Sequence, residues 1–331
     1  MDVIVWARLG QVIGAALLAG SIFIWMGRGR SAEGPPAGVR IWLLAVAAAG
    51  AALIMTGGLT DLLRLAALVS GQPRWDPATW AVMPVVMTTL PPGIVTTARL
   101  GLVVLLAVAF ALARFSAAAA RPAGFLTVAL LFTYGLTGHA LTGRVSPWLT
   151  VPVHSIHITA GLVWGGALTL LAITGLRWGT ASRWFLGLMT GFSRNSLMLM
   201  SVLITTGGLA AVIHLYNPRD LVETSYGLTL SLKLWLAASV LAFAALHRWV
   251  ILPGLRRPGA GLAPVLRISL AVEALLGIGV AAVTAIRLER RGTTNCTCTC
   301  SPVKVWPLTG CRCRRDAITS SAASQGMPNG A

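Results

Sequence analysis

Four of the five histidines fall in the middle of the sequence, near the ends of long apolar runs. His154 and His157 are three residues apart, His139 precedes them and His214 follows them. Side chains three apart on a helix project from nearly the same face. A neutral imidazole is a good ligand for copper, zinc or nickel, so these rings could form a metal site if they meet at one depth. The alternative for any single ring is a helix-end histidine that reaches water.

Methionines and cysteines offer softer donors. Met83 and Met87 are four apart, and Met198 and Met200 lie in a later apolar run. Thioethers suit Cu(I), although methionine in apolar helices is mostly core filler. The C-x-C-x-C spacing of the tail could capture a soft metal, whereas the polar composition of 292–331 predicts a disordered, incidental extension. The tail thiols are Cys296, Cys298, Cys300, Cys311 and Cys313.

The elements that must position these residues are membrane spans. Only 11% of the 331 residues are charged, whereas soluble domains carry about 25%. A spanning helix needs about 20 mostly apolar residues. Eight segments qualify, which predicts an all-α, polytopic bundle over residues 1–291: 3–26, 40–60, 93–113, 123–142, 153–175, 195–215, 226–248 and 266–287. The first segment lacks a basic start and a cleavage site, so it is expected to be a retained helix. The segment 75–92 is too short and proline-rich to span.

The arginines predict the orientation of the bundle. Loops after spans one, three, five and seven hold twelve arginines, and loops after spans two, four and six hold four. The positive-inside rule therefore places the first set in the cytoplasm and both termini in the periplasm. The four clustered histidines then lie at the outer, periplasmic end. His247 falls at the inner end of span seven, where a snorkelling interfacial residue is favoured over an exit ligand.

Three charged residues interrupt the spans: Arg99, Lys233 and Glu273. A charge near the bilayer centre costs at least about 2.5 kcal/mol, so each is a functional candidate. Glu273 and Lys233 enter from opposite sides to roughly 10 Å each, and their long side chains could nearly meet across a core about 30 Å thick. This pair would either lock spans seven and eight together or leave Glu273 as a cation or proton station. A pathway would continue past Met198, Met200 and His247.

Several function classes are excluded or disfavoured. The net charge of +17 comes from residues in short gaps between apolar runs, which form no basic patch for nucleic acid. The two lysines, Lys233 and Lys304, follow no phosphate-binding glycine motif, and the sequence contains no D-K-T-G motif. An ATP-driven pump is therefore not expected without another subunit, and no catalytic residues are predicted.

The second half of the chain resembles the copper resistance protein D (CopD) family of bacterial inner-membrane proteins. The resemblance runs in order from His139 to the end of span eight. It comprises Gly138-His139-Ala140, His157 to Trp164-Gly165-Gly166, Phe192-Ser193, Tyr226-Gly227 followed by Lys233, Arg248, Pro253, and Leu266-Arg267 to Glu273. Two positions differ. His154 stands where the family often has Asp, and Gly191 stands where it often has Arg before Phe-Ser.

The resemblance implies copper handling between periplasm and cytoplasm, beside a small periplasmic copper-binding protein that must be a separate chain. We therefore expect a lipid-embedded bundle that binds Cu(I) or Cu(II) through His139, His154, His157 and His214, with Met83 and Met87 assisting capture. The membrane potential would favour inward movement of a cation by about 2.3 kcal/mol per charge per 100 mV. Two alternatives remain: a b-type haem electron carrier with paired histidine ligands, and a scaffold that delivers copper without transporting it.

Overall fold

The computed structural model describes residues 3–27, 35–113, 120–136, 146–180, 182–214, 222, 225–255 and 261–292. The predicted ligand His139 and all five cysteines lie outside these ranges. The chain divides into a compact unit, Met1–Ala285, and a second unit, Ile286–Ala331. Of the second unit, the structure describes only the helical backbone of 286–292.

The described chain is helical and contains no strand, which confirms the predicted all-α membrane bundle. Proline occupies the first turn of several helices, where its missing N–H costs no hydrogen bond. The helices are α1 Val3–Gly27, α2 Ala37–Ser70, α3 Pro77–Ala81, α4 Met83–Thr89, α5 Pro91–Ala113, α6 Ala120–Phe132, α7 Pro147–Trp178, α8 Arg183–His214, α9 Ser225–Leu246, α10 Leu252–Leu255 and α11 Ala263–Gly292. A π-helical turn, His247–Ile251, joins α9 to α10.

Seven stretches in the described chain are long and apolar enough to cross a membrane: those within α1, α2, α5, α7, α8, α11 and the run from α9 into α10. The predicted fourth span, 123–142, begins as α6, which has 13 residues. Its continuation over 137–145 lies outside the described residues. The segment 75–92, predicted not to span, contains the short helices α3 and α4, which pack against α2.

Helix α1 lies at the centre of the compact unit, since it packs against α2, α6, α7 and α8. Glycines permit these close contacts. A methyl group on Gly14 would lie 2.5 Å from the carbonyl oxygen of Gly50 on α2. A methyl group on Gly166 of α7 would collide with the backbone carbonyl of Ala16. Small residues that let backbones approach are a common way to pack helices in a membrane, where lipid offers no hydrophobic drive for association.

We expect Gly166→Ala to destabilise the bundle by about 1–3 kcal/mol, because the added methyl group meets backbone atoms that cannot rotate away. The neighbouring Gly165→Ala is the matched control, since a methyl group there meets open space. Thermal unfolding of both purified variants in detergent measures the difference. Equal unfolding temperatures for the two variants would disprove the close α1–α7 contact.

Two apolar clusters hold the helices around the buried polar groups. The inner cluster joins the predicted cytoplasmic ends of α1, α2, α7, α8 and α11, and includes Ile24, Leu43, Leu168, Phe185 and Leu270. A second cluster joins α1, α2, α5 and α6, and includes Ala15, Ile54 and Leu131. Helices α1 and α2 contribute residues to both clusters, so they connect the two parts of the apolar core.

Candidate metal centre

His157 is the best-defined of the predicted metal ligands. It lies half-buried on α7, and its Nδ1 is 2.9 Å from Oγ1 of Thr206 on α8. The Thr206 hydroxyl in turn donates to the carbonyl oxygen of Val202 at 2.6 Å. A hydroxyl has one hydrogen, so a Thr206 that donates to Val202 must accept from Nδ1–H of His157. In the neutral ring this tautomer leaves the lone pair on Nε2, the atom that would bind a metal.

The sequence of α8 also makes room for this imidazole. Gly207 follows Thr206, and a methyl group on Gly207 would lie 3.2 Å from Cε1 of His157. Thr206 therefore fixes the orientation of the ring while Gly207 accommodates its width. A hydrogen bond on the second nitrogen is the usual support for a metal-binding histidine, since it fixes both tautomer and direction.

Two other basic residues act on His157. His154 is exposed, one helical turn earlier on α7, and both His154 and Lys233 of α9 are close enough for their charges to affect the His157 ring. At the predicted outer half of the bundle the structure therefore joins α7 to α8 through His157 and Thr206, while Lys233 of α9 acts on the ring through its charge. Sequence reasoning identified the histidines but not Thr206. The Thr206-Gly207 pair lies at a depth similar to that of His157, and this match could have indicated the contact.

The rest of the predicted outer site is only partly described. His139 and the side chain of His214 lie outside the described residues. Within the described part, no group of three or more His, Cys, Asp or Glu residues is placed to hold a metal. Met83 and Met87 are partly buried and pack against Leu62, Ala66 and Val86. The four-histidine site therefore stays a prediction, with His157 and His154 as its described members.

The predicted partner of Glu273 was wrong. Glu273 pairs with His247, whose Nδ1 lies 2.8 Å from its Oε2, rather than with Lys233. Both side chains are almost fully buried, with exposures of 2% for Glu273 and 5% for His247. The contact still joins spans seven and eight, as predicted, but through a different residue. Lys233 instead lies in the electrostatic environment of His157.

His247 is not a snorkelling interfacial residue either. The predicted span seven ends at residue 248, whereas the helical path continues through the π-helical turn and α10 to Leu255. His247 therefore lies eight residues before the end of this path, or about 12 Å along the helix axis. The extra length carries the ring into the inner cluster, where it meets Glu273. Hydropathy could not show this extension because Arg248, Arg256 and Arg257 end the apolar run.

Arg248 occupies the position next to the pair and binds a neighbouring helix. Its Nη1 donates to the carbonyl oxygen of Ser193 on α8 at 3.2 Å, and lies 3.4 Å from the Ser193 hydroxyl. Gly191 in this turn replaces an arginine that the family resemblance leads one to expect. The guanidinium of Arg248 thus supplies a cation to the Gly191-Phe192-Ser193 turn from another helix.

Of the predicted pathway methionines, neither joins the polar groups. Met198 is 67% exposed on α8, whereas Met200 is partly buried and packs against the inner cluster. Met198 therefore faces the surroundings of the chain, and Met200 fills apolar space.

Arg99 forms a separate buried network in the first half of the chain. It is 4% exposed on α5, and it donates to Oε1 of Gln11 at 2.8 Å and to Thr133 through both Nε and Nη2. The amide nitrogen of Gln11 in turn donates a hydrogen bond to Oδ2 of Asp61 on α2 at 2.8 Å. The guanidinium also lies 4.0 Å from the ring centroid of Tyr134. These partners, which the sequence analysis missed, come from three elements: α1, α2 and the turn that follows α6.

Residues 186–287 match the family model of copper resistance protein D. The match covers α8, α9, α10 and most of α11, and therefore includes His214, His247 and Glu273 but not His139, His154 or His157. It begins later than the resemblance predicted from sequence, which started at His139. The comparisons find no significant match to the chain among curated proteins or among solved structures.

Proposed function

We propose, from the match of residues 186–287 to the family model of copper resistance protein D, that this chain binds copper at the outer half of the bundle and moves it inward across the bacterial inner membrane. The family implies a role in copper resistance or uptake in a multi-pass membrane protein. The observation that supports a binding site in this chain is the His157–Thr206 hydrogen bond, which presents Nε2 as a ligand atom.

The proposed site uses His157 as its anchored ligand and His154 as a second imidazole one turn away. His139 follows the end of α6 in sequence and His214 ends α8, so both are proposed to complete the site from adjacent helices. Imidazole nitrogens bind both Cu(I) and Cu(II), and a site assembled from several helices can release its cargo when those helices move. A separate small periplasmic protein would deliver the copper.

Inward movement is the direction that electrostatics favours. With the histidines at the periplasmic end, a bound cation would enter the membrane field and gain about 2.3 kcal/mol per charge per 100 mV on crossing. Glu273, paired with His247, lies towards the predicted inner end of this route. The proposed route therefore runs from the histidines on α7 and α8 towards the predicted cytoplasmic ends of α9 and α11.

The hydrogen bond between Nδ1 of His157 and Thr206 gives a specific test of the proposed copper site. We expect Thr206→Val to weaken copper binding about 10–100-fold, because it keeps the side-chain shape but removes the acceptor that fixes the Nδ1–H tautomer. Copper titration of the purified protein with a competing chelator measures the affinity.

Ser201→Ala is the matched control. Ser201 makes the same kind of hydrogen bond to the carbonyl four residues earlier, on the same helix, but at an exposed position. Its removal should leave copper affinity unchanged. Equal affinities for wild type and Thr206→Val would show that His157 does not bind copper through Nε2.

A further inference from the structure

The buried pair of His247 and Glu273 has a protonation requirement of its own. Its two facing atoms, Nδ1 and Oε2, are 2.8 Å apart. Oε2 accepts no hydrogen bond, so the contact is a close approach of the two groups rather than a hydrogen bond between them. A carboxylate buried this deeply is costly unless a positive charge lies beside it, and a carboxylic acid carries a proton of its own. In either form the pair holds one proton more than a neutral ring beside a carboxylate.

The other ring nitrogen of His247 also has a hydrogen-bond partner. Nε2 of His247 lies 2.6 Å from Oγ of Ser269, which is 3.2 Å from the carbonyl oxygen of Leu266. Ser269 can accept from Nε2–H while it donates to Leu266. The histidine and the glutamate then carry no net charge together, either as neutral ring and carboxylic acid or as imidazolium and carboxylate. Loss of that proton leaves a net charge of minus one.

The change of charge would occur among buried apolar side chains, where an uncompensated charge is costly. Ile251, Leu266, Leu270 and Ala274 are buried apolar neighbours in the inner cluster. Among the described side chains, the other charged residues on α8, α9, the π-helical turn and α11 are Arg183, Arg194, Lys233, Arg248 and Arg267. Lys233 lies fourteen residues, or about 21 Å along the helix, from His247. Arginines stay protonated in proteins, so the pair is the group that changes charge at this level of the bundle. A nearby mobile cation would therefore stabilise the deprotonated pair.

The backbone at His247 differs from the rest of the helix. His247 begins the π-helical turn, in which each hydrogen bond spans one extra residue. Such turns widen the helix locally and occur often at functional sites. Arg248, in the same turn, is tied to Ser193 of α8. The turn thus connects the His247–Glu273 pair to the helix that carries Thr206 at its other end.

We propose that His247 and Glu273 form a proton-binding site that makes copper transport proton-coupled. This inference rests on the proposed function. When a Cu(I) ion enters the inner half of the bundle, the pair releases its proton to the outer side, and its charge falls from zero to minus one as the ion brings plus one. When the ion leaves to the inner side, a proton binds again from that side, so one proton moves outward for each ion that moves inward. The cation acts through its charge and is not a ligand of either side chain.

The test uses the full chain in lipid vesicles that enclose a pH-sensitive dye. Cu(I), kept reduced by ascorbate, is added outside with the membrane potential clamped, and copper uptake and internal pH are followed together. Wild type should raise the internal pH, with about one proton moved out per copper ion taken up, because the pair exchanges a single proton. Glu273→Gln should bind as much copper as wild type, while its copper-dependent pH change falls to that of protein-free vesicles.

Glu273→Gln can keep the contact, since its amide N–H can donate to Nδ1. Asp76→Asn is the matched control, because it makes the same chemical change at the exposed N-cap of α3, where asparagine also caps. A normal pH change in Glu273→Gln would overturn the proton site, as would wild-type copper uptake with no proton movement. The latter result, which needs no variant, would leave the proposed function intact. Failure of wild type to bind copper would instead overturn the proposed function and this inference with it.

Discussion

Cells that depend on this protein for copper accumulation are expected to lose that accumulation when His157 is replaced by asparagine. The asparagine amide can still donate to Thr206 Oγ1, so the link between α7 and α8 is kept. The imidazole Nε2 is removed, and with it the anchored ligand of the proposed site. Whole-cell copper content, compared with cells carrying an empty vector, should fall to the empty-vector level.

This experiment also separates transport from delivery. A scaffold that passes copper to a partner without transporting it would leave whole-cell accumulation unchanged in His157→Asn. The Ser201→Ala variant, altered at an exposed position of the same α8 helix, should accumulate copper like wild type. Normal accumulation by His157→Asn at equal expression would contradict the transport proposal.

Replacing Arg99 by leucine is expected to cost about 3–5 kcal/mol of folding stability, the range found when one partner of a buried charged pair is removed. Arg99 satisfies Gln11 and Thr133, and Gln11 in turn holds Asp61. Leucine fills the space but leaves those polar groups without their donor in an apolar setting. Removing an intramembrane charge lowers the cost of insertion, but an unfolded chain in the membrane shares much of that gain, so the lost network dominates.

Thermal or denaturant unfolding in detergent measures this effect. Arg99→Lys should give an intermediate loss, because an ammonium keeps the charge but cannot donate in the planar fork that reaches Gln11 and Thr133 together. Arg40→Leu is the control at an exposed position of α2 and should change stability by less than about 0.5 kcal/mol. Wild-type stability in Arg99→Leu would show that the network does not hold the helices together.

Hydropathy was enough to predict the helical bundle, but not the full length of its helices. The second span was predicted over 40–60, whereas α2 runs from Ala37 to Ser70. α7 likewise begins at Pro147, six residues before the predicted start of span five. Hydropathy averaged over a window of residues detects the part of a helix that lies in the apolar bilayer core. It does not detect the part that continues beyond the core. Proline at the first turn, as at Pro147, marks the true start better than hydropathy does.

The polar networks were harder to predict because their members are spread over distant spans. Arg99 was recognised as an intramembrane charge, but its partners were not. Gln11 and Arg99 each lie eight residues from the predicted outer start of their helices, and Asp61 lies nine from the outer end of α2. At 1.5 Å per residue all three reach about 12–14 Å deep. Matching the depths of uncharged polar residues as well as charged ones would have indicated this cluster.

The same depth comparison misplaced the partner of Glu273, for a different reason. It left out His247, which the predicted end of span seven at residue 248 placed at the membrane surface, although the helical path reaches Leu255 through the π-helical turn. Moving the end of the helix by seven residues is enough to change the expected position of His247 from the surface to the interior. Side-chain pairing inside a membrane thus depends on helix ends, which are the feature that sequence defines least well.

The copper content of the purified protein tests the central proposal most directly. Wild type and a variant that lacks His139, His154, His157 and His214 are loaded with Cu(I), freed of unbound metal and analysed for copper per chain. We predict that wild type retains copper and that the variant, folded to the same extent, retains none. Equal copper in both proteins would contradict the outer histidine site, and a haem absorption band in wild type would assign the histidines to electron transfer instead.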